Sequence, residues 1–268
     1  MREALALVRA SWRTALSYRM SMVFSLASLL VTVVPVYFVA RALQPMAAKA
    51  IATQGGDYFS FLLVGYAAFM FISVAVNTMP GAVSGGISTG TLEALLSTRA
   101  PIPALVSGMV GYSFLWTTVR AVVLLASGVA FGMRPALGIE SFLTSVVIMV
   151  LIVLAYLPFG ILGAALVLAF RTTGPLPSAV LIASGLLGGV YYPTQVIPSW
   201  IQLLSKAVPL TYGLRALRQT LLEGYPLSVV LPDVLWLAGF VILLTAISLF
   251  AIAEALRYAR RSGTLAQY

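Results

Sequence analysis

Six long apolar stretches that carry almost no charge dominate this sequence. They are Met20–Ala40, Tyr58–Met79, Ala104–Phe131, Ser141–Phe170, Leu176–Tyr192 and Val229–Ala255. A helix needs roughly 20 apolar residues to cross the hydrocarbon core of a membrane. Only 9% of the residues are charged, too few to cover a water-facing surface. We therefore predict an all-α polytopic membrane protein with six transmembrane helices, forming a single transmembrane domain over residues 1–268.

The segment 1–19 has the pattern of a helix that lies on the membrane. Apolar residues such as Val8 and Trp12 share one arc at helical spacing, and Arg9 and Arg13 lie at its edge, within reach of lipid phosphates. The alternative is a disordered basic leader. The first apolar stretch is also longer than the apolar core of a signal peptide, which favours a retained membrane anchor.

Basic residues predict the orientation, because they collect on the cytoplasmic side of short loops. With both termini inside, a larger basic set faces the cytoplasm and a smaller one faces outward, and residues 257–268 form a cytoplasmic tail. The inner set is Arg2, Arg9, Arg13, Arg19, Arg99, Arg171, Arg257, Arg260 and Arg261, and the outer set is Arg41, Lys49, Arg134, Lys206, Arg215 and Arg218.

The connection between the second and third stretches is rich in glycine first and in helix-forming residues afterwards. It predicts a cytoplasmic turn from Gly81 that leads into a short helix within residues 82–100. Thr89 or Thr91 is expected to cap this helix, with Glu93 in its first turn.

The segment 193–225 differs from every other connection. It contains several prolines, yet its apolar pairs are too numerous for a solvated linker. We predict two short helices that dip back into the outer leaflet and pack on protein.

The residue types that are missing exclude several functions. Without cysteine or histidine, the chain offers no disulfide, no thiolate or imidazole catalyst and none of the commonest zinc ligands, so we predict neither a catalytic nor a metal site. Lys49 and Lys206 are each followed by alanine, which rules out a P-loop. The basic residues punctuate apolar segments and do not form a soluble face, which argues against nucleic acid as a partner.

Two charged residues in the apolar stretches leave alternatives open. Glu254 is either an interfacial partner of Arg257 or a coupling carboxylate, and Arg120 either extends toward the outer surface or lines a transport pathway. An ion-coupled transporter or channel is therefore retained as the alternative function.

Three connecting segments together resemble the membrane permeases of type 2 ATP-binding-cassette (ABC) exporters. They are Gly90–Thr98 (GTLEALLST), Gly189–Trp200 (GVYYPTQVIPSW) and Pro209–Arg218 (PLTYGLRALR). Their order and spacing among six stretches carry the resemblance, which spans essentially the whole chain.

The resemblance implies an exporter in a bacterial plasma (inner) membrane, active as a dimer with a second copy or a related permease. It implies that ATP and Mg are bound by a separate ABC ATPase subunit in two copies, and that this chain itself holds no cofactor. The implied cargo is amphipathic: a drug, a lipid or a lipid-linked glycan. The implied ATPase-coupling residues are Gly90, Thr91, Leu92, Glu93, Leu95 and Leu96, with Arg9 and Arg13 nearby. The implied re-entrant outer helices carry Pro193, Pro198, Trp200, Pro209, Thr211, Tyr212, Arg215 and Arg218.

Aromatic residues suggest a route for such a cargo, because their rings accept both apolar tails and hydroxyl groups. Ordinary helix packing or an aromatic belt at the membrane surface explains them equally well. The candidates are Tyr66, Phe69, Tyr112, Trp116, Tyr156, Tyr191 and Tyr192.

Overall fold

A computed structural model describes residues 19–90 and 102–261, apart from positions 53, 137, 171 and 173. Side chains are described from residue 110 in the third helix and up to residue 254 in the last one. The described residues form eight α-helices and one 3-10 turn, Thr194–Val196. The helices are α1 (Arg19–Ala47), α2 (Tyr58–Ser88), α3 (Ile102–Ala130), α4 (Ile139–Phe170), α5 (Leu176–Leu187), α6 (Ser199–Ser205), α7 (Pro209–Glu223) and α8 (Leu227–Arg261).

Five of these helices, α1, α2, α3, α4 and α8, are long and apolar enough to cross a membrane. The described part of the chain is thus all-helical, and its five long apolar helices agree with the predicted polytopic membrane protein. The predicted fifth crossing is different: α5 has 12 residues, about 18 Å at 1.5 Å per residue. It ends at Leu187 because Gly188 caps it and Gly189 turns away with a φ of +79°. The count of six crossings therefore stays a prediction.

Helices α2 and α4 form the centre of the bundle, and their backbones approach closely. A Cβ atom on Gly160 would lie 2.3 Å from the carbonyl oxygen of Ala75, and one on Gly163 would lie 2.6 Å from the Cγ of Pro80. Small residues at such positions let membrane helices gain dispersion energy over a long contact. Helices α1 and α3 pack on α2, and α8 packs along α4.

The prediction that a turn begins at Gly81, after the second apolar stretch, is wrong. The glycine-rich segment from Gly81 continues α2 to Ser88, through Pro80. Packing explains the difference, since Pro80 is buried against α4 where Gly163 leaves room for its ring. Thr89 is the C-cap of α2, with its backbone N–H and Oγ1 both donating to Gly85.

The segment 193–225 contains two short helices, α6 and α7, between α5 and α8. Helix α7 is amphipathic: Leu210, Leu214 and Leu217 recur at helical spacing, are fully buried and face α2, α4 and α8. Pro209 begins α7 at a position where no backbone donor is lost.

Three connections meet at one end of the bundle, which we call the α7 end. They are the α1–α2 loop, the α3–α4 loop and the chain from residue 188 to residue 226. The backbone N–H of Ala136 donates to the carbonyl of Leu221 at 2.8 Å, and that of Gly55 donates to Oε1 of Glu223 at 2.7 Å. The last turn of α2, which ends at Ser88, lies at the opposite end of the bundle.

Candidate functional site

The predicted ATPase-coupling residues fall mostly outside the described part of the chain. Gly90 is described. It follows α2 with a φ of +66°, a conformation that favours glycine, and a Cβ atom added there would have no neighbour within 4 Å among the described residues. The other predicted coupling residues, Thr91, Leu92, Glu93, Leu95, Leu96, Arg9 and Arg13, lie outside the described residues, as does the predicted interfacial helix before Arg19.

Arg218 is the most unusual residue at the α7 end, because it is a cation with only 2% of its surface exposed. Its Nε and Nη2 donate to the carbonyl of Phe61 at 3.2 and 3.1 Å, Nη2 also donates to the carbonyl of Val190 at 3.3 Å, and Nη1 donates to Oε1 of Gln54 at 3.4 Å. Its guanidinium lies 3.3 Å from the centroid of the Phe61 ring. Arg218 therefore joins α7 to the first turns of α2.

All these acceptors are neutral. Burial lowers the pKa of Arg218 to about 9, and the nearby Tyr58 opposes this shift. A pKa of that size still leaves the side chain positively charged at neutral pH. Within the described residues Arg218 forms no ion pair, an uncommon state for a buried charge.

Arg215 lies one turn before Arg218 and is half-exposed. It forms a bidentate ion pair with Asp233 of α8: Nε donates to Oδ2 at 2.7 Å, and Nη2 contacts Oδ1. Hydrogen bonding to Asp233 raises the pKa of Arg215. The pair ties α7 to the first turns of α8.

Two other acids near this end also have partners, whereas Glu140, in the first turn of α4, is exposed. Asp57 caps α2 by accepting from the backbone N–H of Ser60 at 2.9 Å, and Glu223 accepts from Gly55. Asp57 and Asp233 lie near helix ends and do not face each other in the core.

The other predicted residues of segment 193–225 have structural contacts at the α7 end. Thr211 donates to the carbonyl of Ser205 at 2.7 Å, and Tyr212 stacks on Trp236 with 5.9 Å between ring centroids. Trp200 is 71% exposed on α6. Pro193 precedes the 3-10 turn and Pro198 precedes α6.

A small polar pocket lies beside the two arginines. Its enclosed volume of about 20 Å³ has room for one or two water molecules, so it cannot enclose an organic cargo. Arg218 lines the pocket together with Arg215, Gln54, Thr194, Gln195 and Thr211.

The aromatic residues predicted to form a cargo route lie in different environments in the structure. Tyr156 is 1% exposed and shares a 2.6 Å hydrogen bond with Ser184 of α5, so within one chain it packs helices together. Phe69 and Tyr191 lie side by side, with 6.4 Å between ring centroids, and Tyr191 is exposed. Tyr66, Tyr112, Trp116 and Tyr192 are partly buried. A role of these residues in cargo transport stays a prediction.

Arg120 lies ten residues before the end of α3, about 15 Å along the helix. Its Nε atom is buried and has no hydrogen-bond partner among the described residues. Both alternatives for Arg120 therefore stay open.

Sequence reasoning missed the partners of Arg218. Two of them are backbone carbonyls, of Phe61 and Val190, which leave no signal in side-chain identity. The pairing of Arg215 with Asp233 left a weak signal, since Asp233 is an acid at the start of an apolar stretch.

Comparison with known proteins agrees with the architecture. A family model described as ABC-2 type transporter matches residues 2–222. No curated protein matches the chain. In this family the membrane domain is a permease that has no ATPase site, and a separate subunit hydrolyses ATP. The chain belongs to the ABC-2 type transporter family and is an integral membrane permease of an ABC transporter.

Proposed function

We propose that this chain exports an amphipathic substrate, driven by a separate ATPase that presses on the segment after α2. The observation that carries the proposal is the family match over residues 2–222, joined to the continuity of α2. The chain performs no ATP chemistry itself and converts the movement of its partner into a change of access.

Helix α2 is suited to transmit that movement. Its 31 residues run without interruption from Tyr58 to Ser88, a length of about 46 Å. Much of it is buried against α3 and α4, and its first turns hold Arg218 of α7. A displacement after Gly90 would therefore reach the α7 end as a rigid-body shift.

The rest of the proposal follows the family resemblance. Both termini are cytoplasmic and the α7 end faces outward. Helix α5 with residues 188–192 makes the sixth crossing, and α6 and α7 re-enter the outer leaflet. Two permeases pair in the bacterial plasma membrane with two ATPase subunits, which bind ATP and Mg.

Transport in vesicles tests the energy source. The permease, purified with its ATPase and reconstituted, should move a fluorescent short-chain phospholipid only with Mg and ATP. Substitution of Glu93→Gln or Leu92→Ala should lower recovery of the ATPase, whereas Gln195→Ala, at the opposite end, should not. Transport that follows a proton or sodium gradient in vesicles lacking the ATPase would show an ion-coupled carrier instead.

Labelling tests the orientation, and the chain is convenient because it has no cysteine. Ser88 and Gln195 are both exposed and lie at opposite ends of the bundle. A membrane-impermeant maleimide should label Gln195→Cys in intact cells and Ser88→Cys only after permeabilisation. The reverse pattern would invert the orientation.

A further inference from the structure

The arginine pocket at the α7 end has an imbalance of charge that transport coupling does not explain. Two guanidinium groups line it, and among the described residues the acid in contact with them is Asp233, which is held by Arg215. The neighbouring acids Asp57 and Glu223 accept hydrogen bonds from backbone N–H groups.

Desolvation makes this imbalance significant. Burying a cation removes its hydration, and neutral acceptors replace only part of that lost stabilisation. The Nη1 group of Arg218 makes one long contact of 3.4 Å, to Gln54. An anion that entered the pocket would supply the missing charge and a better acceptor.

We propose that this pocket binds an oxyanion of phosphate chemistry, with Arg218 at its base and Arg215 at its mouth. The enclosed volume of about 20 Å³ admits one or two oxygen atoms. The rest of the anion remains at the opening, beside Thr194 and Gln195.

A phosphate group that stays at the mouth can belong to a lipid headgroup or to free phosphate. Tyr191 and Trp200, exposed on the same segment, are of the type that lies at membrane surfaces, where lipid phosphates are concentrated. The inference is independent of the cargo and of the direction of transport, and its test needs no transport.

Thermal unfolding of the purified chain separates the two sources. Inorganic phosphate, compared with chloride at equal ionic strength, tests the free anion. Nanodiscs with phosphatidylglycerol, compared with nanodiscs of digalactosyl diacylglycerol, a lipid that has no phosphate, test the headgroup. At about 100 times Kd, binding should raise the Tm by roughly 5 °C. If neither phosphate nor phosphatidylglycerol raises the Tm of the unmodified chain, the proposal is wrong.

A tethered carboxylate provides a second test. Thr194→Glu should place a negative charge in the pocket, raise the Tm in phosphate-free buffer and abolish the response to the stabilising anion. Ser199→Glu adds the same charge on exposed α6, outside the pocket, and should keep the response. Equal loss of the response in both variants would show general surface electrostatics and overturn the site.

Discussion

Helices α1 and α2 are consecutive, similar in length and comparably apolar, yet they occupy different environments. In α2, 67% of the membrane-spanning window is buried within the chain, against 11% in α1. Hydropathy therefore does not decide which helix is central. Helix α2 has small residues where α4 and α7 approach, whereas α1 contains no glycine and exposes Val23, Phe24, Val31 and Phe38.

The difference teaches what holds this bundle together. In a membrane the lipid is as apolar as leucine, so helices associate through close packing and polar contacts. The contacts of α2 are of both kinds: Gly160 and Gly163 of α4 admit its backbone, and Gly65 admits the Arg218 side chain. The exposed side of α1 is left for lipid or another subunit.

The largest effect is expected for Gly160→Ala. The added methyl would lie 2.3 Å from the Ala75 carbonyl oxygen, a backbone atom that cannot rotate away. Separation of α2 from α4 should cost about 1–3 kcal/mol or more, measured by chemical unfolding in detergent. Gly81→Ala, in open space on α2, is the matched control; equal losses would contradict close approach as the cause.

A smaller loss is expected for Gly65→Ala. Its methyl would lie 2.6 Å from the Val190 carbonyl oxygen and 2.7 Å from Nη2 of Arg218. A loop carbonyl and a side chain can shift, so we expect a loss of about 1–2 kcal/mol. Hydrogen exchange should rise in residues 188–198 and remain unchanged around Gly160. Unchanged exchange at the α7 end would contradict the contact.

The link between α7 and α8 should be weaker. Asp233→Asn removes a charge whose partner, the Arg215 side chain, is 46% exposed. Solvent screening limits the expected loss of stability to about 1 kcal/mol or less. A double-mutant cycle with Arg215→Gln, measured by unfolding at low and high salt, should give a coupling energy that falls as salt rises. A coupling energy that does not change with salt would show that the ion pair is shielded from solvent, which would contradict the expected screening.

The smallest effect is expected for Gly239→Ala on α8. Nothing lies within 4 Å of the added methyl, and alanine favours the helix by about 0.5–1 kcal/mol. The variant should unfold at the same or a slightly higher denaturant concentration. A clear loss of stability would show that this face of α8 packs on another subunit. Close packing at small residues would then hold at the outside of the bundle as well as between α2 and α4.

Much of the fold was predictable from apolar length alone. The starts of α2 and α5 coincide with the predicted stretches, and two short helices occupy segment 193–225. The continuation of α2 through Pro80 was not predictable, because local rules favour a break there and only the recess at Gly163 removes the conflict. Likewise, α5 ends earlier than its apolar stretch, because hydropathy does not register the turn at Gly189.

The sequence by itself determined the membrane environment and the absence of a P-loop, since these depend on composition and local motifs. The tertiary structure decided which helix is central and why Arg215 and Arg218, one turn apart, differ. Arg215 meets a carboxylate and Arg218 meets carbonyls of residues 61 and 190, far away in the chain. Burial of a charge depends on atoms brought together by folding, which no local pattern records.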